Sequence, residues 1–150
     1  MNVNANIRIL LTDDDEDDRD FFAEAIEDLH LSHPVEFCKN GIELLERLGD
    51  KSLDIPDIIF LDLNMPILSG FETLQQIRED IRFENIPVIA IYSTSATVDG
   101  VKNTFGLGAN AYIVKPIAFG DLKKLLKKVI EIDWNERIQN VKLESFVISL

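Results

Sequence analysis

Apolar positions along this chain switch repeatedly between two spacings. Residues 7–11 form a compact apolar run, broken by Arg8, that reads as a strand; Phe22, Ile26 and Leu29 then recur as on one helical face. Val35-Glu36-Phe37 is a short strand candidate after Pro34. Asn40 precedes a helical stripe, Leu44, Leu45 and Leu48 within Ile42–Leu48, which Gly49 stops. Residues 57–61 predict a buried strand, and a loop through Met65-Pro66 to Gly70 leads to a helix marked by Phe71, Leu74, Ile77 and Ile81. Residues 87–92 predict a fourth strand, and Val98, Val101 and Phe105 a weaker helix. Ala111–Val114 predict a fifth strand before the clearest stripe, Leu122, Leu125, Leu126, Val129 and Ile130. Five strand–helix units in alternation predict an α/β fold, a doubly wound parallel sheet with helices on both faces. Right-handed crossovers leave few topologies open.

The first 130 residues read as one domain, without repeat, low-complexity tract or linker. Residues 131–150 form a short C-terminal extension whose Trp134, Ile138, Val141, Leu143, Phe146, Val147, Ile148 and Leu150 are too apolar for a free tail. A flap on the last helix or an added edge strand is the preferred reading, and a contact with a partner or a second copy, giving a homodimer, the alternative.

The chain has 150 residues, with 15 Lys and Arg against 27 Asp and Glu, and a net charge of −12. Affinity for phosphate backbones rests on cationic contacts, so direct nucleic-acid binding is disfavoured. No apolar stretch approaches a membrane span. Met1-Asn2-Val3-Asn4 lacks the charged and apolar regions of a signal peptide. Cys38 is the single cysteine, which excludes an internal disulfide and suits a reducing cytoplasm.

Charged residues stand at the carboxyl ends of three predicted strands: Asp13-Asp14, Asp62 and Lys115-Pro116. Open parallel sheets build their sites at that edge. Acids from Asp15 to Asp20 (Asp15, Glu16, Asp17, Asp18, Asp20) are accounted for by the positive end of a helix dipole. In a flavodoxin-like strand order 2-1-3-4-5, strands one and three are neighbours and Asp62 comes within reach of Asp13 and Asp14. Two carboxylates ~5 Å apart repel by about 3 kcal/mol at an effective dielectric of 20, so three together call for a cation. All-oxygen ligation suits Mg²⁺. With one cysteine and only His30 and His33, zinc is disfavoured.

The segment Asp62-Leu63-Asn64-Met65-Pro66-Ile67-Leu68-Ser69-Gly70 resembles the phosphoacceptor loop of response-regulator receiver domains of two-component signalling. The acidic pair at 13–14, a strand-end hydroxyl near Ser93 and Tyr112-Ile113-Val114-Lys115-Pro116 follow the family's order over about residues 5–130. The resemblance implies a flavodoxin-like (βα)5 domain in which Asp62 accepts a phosphoryl group. It implies Mg²⁺ ligation by Asp14 and Asp62, by Asp13 directly or through water, and by the backbone carbonyl of Asn64. Lys115 is expected to pair with Asp62 at rest and with a phosphoryl oxygen afterwards, and the Lys115–Pro116 bond to be cis, as is typical of the family. The hydroxyl that turns toward phosphate falls on Ser93, 22 residues before Lys115; counting from Pro87 gives Tyr92, whose bulky phenol cannot make that swing, and Thr94 is the next candidate. Ser95 and Asn64 match positions that tune dephosphorylation. Tyr112 matches the family's switch aromatic; its other reading is a strand tyrosine with its hydroxyl at the surface.

The implied function is that of a stand-alone response regulator: a phosphoryl group from a sensor histidine kinase or histidine phosphotransfer protein changes the surface offered to a downstream protein or relay. It is not an enzyme on an external substrate, assisting only its own phosphorylation and dephosphorylation. Lys123, Lys124, Lys127 and Lys128 on the last helix are either a solvated face or part of that surface. Two alternatives remain. A receiver-like module that is never phosphorylated leaves the intact acids and lysine unexplained. A haloacid-dehalogenase-like phosphatase needs a second acid where Asn64 stands. Nucleotide and flavin binding is opposed by the acidic loop after the first strand, which would expel phosphate.

Overall fold

The apolar runs become six parallel strands of one sheet, in the order β2-β1-β3-β4-β5-β6. The computed structural model describes residues 6–150; the Met1–Asn4 segment read above as free of a signal sequence lies outside the described residues. In chain order the elements are β1 (Ile9–Thr12), α1 (Glu16–Glu27), β2 (Glu36–Cys38), α2 (Gly41–Gly49), β3 (Ile58–Leu61), α3 (Gly70–Glu79), β4 (Val88–Ser93), α4 (Val98–Gly106), β5 (Ala111–Val114) and α5 (Phe119–Glu131). Then follow α6 (Trp134–Asn140), α7 (Leu143–Phe146) and β6 (Val147–Ile148). Strands β1, β3 and β4 are buried along their whole length, as a sheet covered on both faces requires. The flavodoxin-like order 2-1-3-4-5 holds, with β6 added beside β5.

Alternation along the strands divides the core in two. Leu11, Phe60, Tyr92 and Ile113 face α1 and α5, packing on Phe22, Leu122, Leu126 and Val129. Phe22, Phe60 and Tyr92 meet there edge to face, with ring centroids 5.1–6.0 Å apart. Leu10, Leu61, Ile91 and Tyr112 face the other way, toward Leu44, Leu74, Ile77 and Phe105 of α2, α3 and α4. Side-chain caps fix where the site-side helices begin. Asp15 accepts from the amides of Asp17 and Asp18, Ser69 and Glu72 form a capping box, and Thr97 accepts from Gly100.

One helix is shorter than its stripe suggests. α3 ends at Glu79, and Asp80 caps a separate 3-10 turn, Ile81–Phe83, that turns Ile81 out to solvent and buries Phe83 instead.

After α5 the chain continues on the same body. Trp134 Nε1 donates to the Val129 carbonyl (3.1 Å), and Arg137 donates to the carbonyls of Ser145 and Phe146 (both 3.0 Å). Val147 and Ile148 pair with Tyr112 and Ile113. No helix among the described residues is long and apolar enough to cross a membrane.

Leu126 is fully buried in the α1–α5 layer. Leu126→Ala is expected to cost about 2–5 kcal/mol, read as a lowered urea midpoint with an unchanged slope.

Candidate functional site

Backbone pairing runs one residue past three strands and so positions three charges. The Asp13 amide donates to the Cys38 carbonyl (3.0 Å), Asp62 to Thr12 (3.0 Å) and Lys115 to Ser93 (2.7 Å). Asp13, Asp62 and Lys115 each lie two residues beyond Leu11, Phe60 and Ile113, side chains of the α1–α5 face, so strand alternation sends all three to that side. One oxygen from each of Asp13, Asp14 and Asp62 lies within 4.8 Å of the others. Asp13 is 0% and Asp62 5% exposed, whereas Asp14 opens to solvent.

Lys115 answers this charge, but not mainly through Asp62. Its Nζ lies 2.7 Å from Asp13 Oδ2 and 2.8 Å from Asp18 Oδ2, against 3.7 Å from Asp62 Oδ1. The expected resting pair of Lys115 with Asp62 is present at 3.7 Å, but as the longest of three: the Asp13 carboxylate, shut off from solvent, takes the ammonium first. Its other oxygen accepts the Asp15 amide (3.0 Å). Asp18, assigned above to the helix dipole alone, is a second partner of Lys115. The first turn of α1 carries it over the sheet edge, and no sequence spacing told which acid of the run would make that reach. The expected cis bond is also corrected: the described peptide bonds are all trans, Lys115–Pro116 included, the form favoured by about 0.5–1 kcal/mol for X-Pro.

The charges perturb one another. Burial pushes the Asp62 carboxyl up to about 7; Lys115 works against this, while Asp13 and Asp14 add to it. Burial likewise raises Asp13, against the pull of Lys115. Burial alone would lower Lys115, but its bonds to Asp13 and Asp18 and the charge of Asp62 outweigh this and hold it above the usual lysine range. The lysine is therefore a fixed cation, and Asp62 the least satisfied acid of the group.

The loop after Asp62 is held by a close backbone approach. The Gly70 amide donates to the Leu63 carbonyl (2.9 Å), and a Cβ on Gly70 would lie 2.2 Å from the Asp62 carbonyl oxygen and 2.6 Å from Leu63 Cα. Asn64 is exposed at the site's mouth, and its backbone amide works, weakly, against the rise of the Asp62 carboxyl. Ile67, exposed, has a φ of 71°, a left-handed backbone that costs a non-glycine residue about 1–2 kcal/mol.

Ser93 ends β4 on the opposite face, two residues beyond Ile91, the partner of Tyr112. It is buried, whereas Thr94 and Ser95 are exposed. Tyr92 faces the other layer, locked among Phe22 and Phe60, with Lys115 Nζ 5.3 Å from its ring centroid. Tyr112 is 1% exposed, and its hydroxyl donates to the Ser95 carbonyl (2.6 Å), so the surface reading of this tyrosine is excluded here.

The model of the response regulator receiver domain matches residues 9–127. The chain belongs to this family. The probable methanogenesis regulatory protein FilR2 of Methanothrix harundinacea is 31% identical over 134 residues, 85% of this chain and 84% of that protein. The phosphorylated cyanobacterial phytochrome response regulator RcpA superposes with a TM-score of 0.75 at 30% identity, covering 85% of this chain and 93% of RcpA. The Mn²⁺-bound response regulator Rcp1 superposes with a TM-score of 0.72 at 26% identity, covering 91% and 97%. Several other relatives are much longer proteins, of which the chain spans between 6% and 16%. Receiver domains are the phosphoacceptors of two-component signalling, bind Mg²⁺ at an aspartate cluster, and work with histidine kinases or phosphotransfer proteins and downstream effectors.

Two consequences for this receiver are measurable. Gly70→Ala drives a methyl group into the Asp62 peptide and is expected to cost about 1–3 kcal/mol in thermal or urea unfolding, with weakened divalent-cation binding. Asp62 holds its proton more tightly folded than unfolded, so its ionisation removes stability as pH rises from about 4 to about 7. Asp62→Asn is therefore expected to stabilise the metal-free protein by about 1–3 kcal/mol at pH 8 and to have little effect at pH 4.

Proposed function

We propose that this receiver domain takes a phosphoryl group on Asp62 from a phosphohistidine donor, a sensor histidine kinase or a histidine phosphotransfer protein, in a Mg²⁺-dependent reaction. The observation that carries this reading is the convergence of Asp13, Asp14 and Asp62 with one partly buried ammonium at the carboxyl edge of the sheet.

The donor set fits magnesium. Three carboxylates within 4.8 Å of one another offer only oxygen, and among the described residues no histidine or thiolate joins them. Two such charges repel by about 3 kcal/mol at an effective dielectric of 20, and Lys115 is committed to Asp13 and Asp18. Asp13, Asp14, Asp62 and the Asn64 carbonyl are the groups that would hold the ion, whose chemistry is to neutralise charge on the phosphoryl oxygens.

The protein's own part is positioning. Phosphoryl transfer has a loose transition state, helped mainly by alignment and charge neutralisation. An Asp62 carboxylate oxygen attacks phosphorus, the P–N bond to the donor imidazole breaks, and the released ring nitrogen takes a proton from solvent. Once Asp62 is esterified, Lys115 is the cation available to a phosphoryl oxygen, and the Ser93 hydroxyl a short donor at the neighbouring strand end. Tyr112 is the switch aromatic, and the altered surface, around α4, β5 and α5, is what a downstream partner or relay protein reads. Part of the lysine face has internal work: Lys123 pairs with Asp28, and Lys128 donates to the Ser149 carbonyl (2.5 Å). Lys124 and Lys127 are the exposed pair left for a partner.

Incubation with Mg²⁺ and acetyl phosphate is expected to add one phosphoryl group by intact mass. The adduct should be absent with EDTA and in Asp62→Asn, and slowed at least tenfold in Lys115→Ala. An unmodified wild-type mass, or an adduct surviving in Asp62→Asn, would reject the assignment.

A further inference from the structure

The C-terminal segment reaches the acceptor site's machinery through one side chain. Phe146, on α7, is 0% exposed and packs edge to face on Tyr112 (centroids 6.2 Å apart, 65°) and on Phe105 of α4 (5.1 Å, 77°). Val147 continues as β6 in register with Tyr112 itself. On its other side the Tyr112 ring system ends at the Ser95 carbonyl, which accepts the phenol (2.6 Å), beside Gly100, where a Cβ would lie 3.7 Å from the hydroxyl. Tyr112 is thus held inward at both ends: its hydroxyl by the β4–α4 loop, its ring by Phe146. It cannot leave without uncovering Phe146.

We propose that Phe146 is a positioning residue for the acceptor site, acting through Tyr112 to favour the conformation that binds a phosphoryl group on Asp62. The inference rests on the acceptor reading above. Ser93 shares a face with Tyr112, and a tyrosine kept inward leaves one arrangement of the β4 end rather than two. A ligand that needs a conformation only fractionally populated binds more weakly by that fraction. Docking of residues 143–148 and occupation of Asp62 therefore favour each other, because coupling between two sites is reciprocal. Trp134, the single tryptophan, reports on the segment, since Arg137 lies 5.8 Å from its ring centroid and also binds the Phe146 carbonyl.

The test is the affinity of the full chain for beryllofluoride, a tetrahedral phosphoryl mimic, in saturating Mg²⁺, with Trp134 emission followed in the same titration. Phe146→Ala is expected to weaken beryllofluoride about three- to tenfold with Mg²⁺ affinity unchanged. Phe146→Leu, which keeps most of the volume, should restore it. In a Tyr112→Ala background Phe146→Ala should have no further effect, and in the wild type Trp134 emission should change as beryllofluoride binds. Equal affinities of Phe146→Ala or, should that variant not fold, of Phe146→Leu and Phe146→Leu/Tyr112→Ala would overturn the inference alone. Failure of the unsubstituted protein to bind beryllofluoride would overturn the acceptor reading and this inference with it.

Discussion

Like charges are held together at the end of a sheet, and much of this structure is the means of tolerating that. Asp13 and Asp62 sit where ladder hydrogen bonds place them, nearly shut off from solvent, and Asp14 follows Asp13 at the open side. Lys115 compensates part of the charge and is shared with Asp18, so its 3.7 Å separation from Asp62 leaves that carboxylate underserved. A group so placed gains from any cation or bond that removes its charge. Protonation, cation binding and esterification are chemical ways of doing so.

The surrounding chain keeps the arrangement from relaxing. Gly70 lets α3 start against the Asp62 peptide, and Asp15 caps α1 so that Asp18 overhangs the sheet edge. Lys115 Nζ lies 5.3 Å from the ring centroid of Tyr92, which is itself packed against Phe22 and Phe60. Left-handed backbone at non-glycine positions falls in loops, at Ile67 beside the site and at His30 after α1, and at none of the described strand residues. A rigid sheet with its charge at one edge can respond to ligation mainly through loops and helix ends.

Segment 131–150 changes what that response can reach. In this chain the edge of β5 is covered by β6, and the Tyr112 ring is closed over by Phe146. The surface beside α4 and β5 is therefore partly occupied by the chain's own residues.

The fold class was legible in the sequence because the two hydrophobic periods are local and persistent, whereas the strand order came only with the resemblance to receiver domains. Asp13, Asp62 and Lys115 could be singled out because each follows an apolar run at a sheet's productive edge. Two counts along the chain disagreed between Ser93 and Tyr92 and only the bulk of the phenol separated them; alternation along β4 adds that one is on the Tyr112 side and the other in the phenylalanine layer. Ile81 misled because an apolar residue in helical phase says nothing of a cap such as Asp80 that ends the helix first. The bonds of Lys115 to Asp13 and Asp18, the trans bond before Pro116 and the seat of Phe146 on Tyr112 were not legible. The lysine bonds and the aromatic seat depend on distances across 34 to 102 residues of chain, which no local pattern encodes and which the packed sheet and helices alone decide.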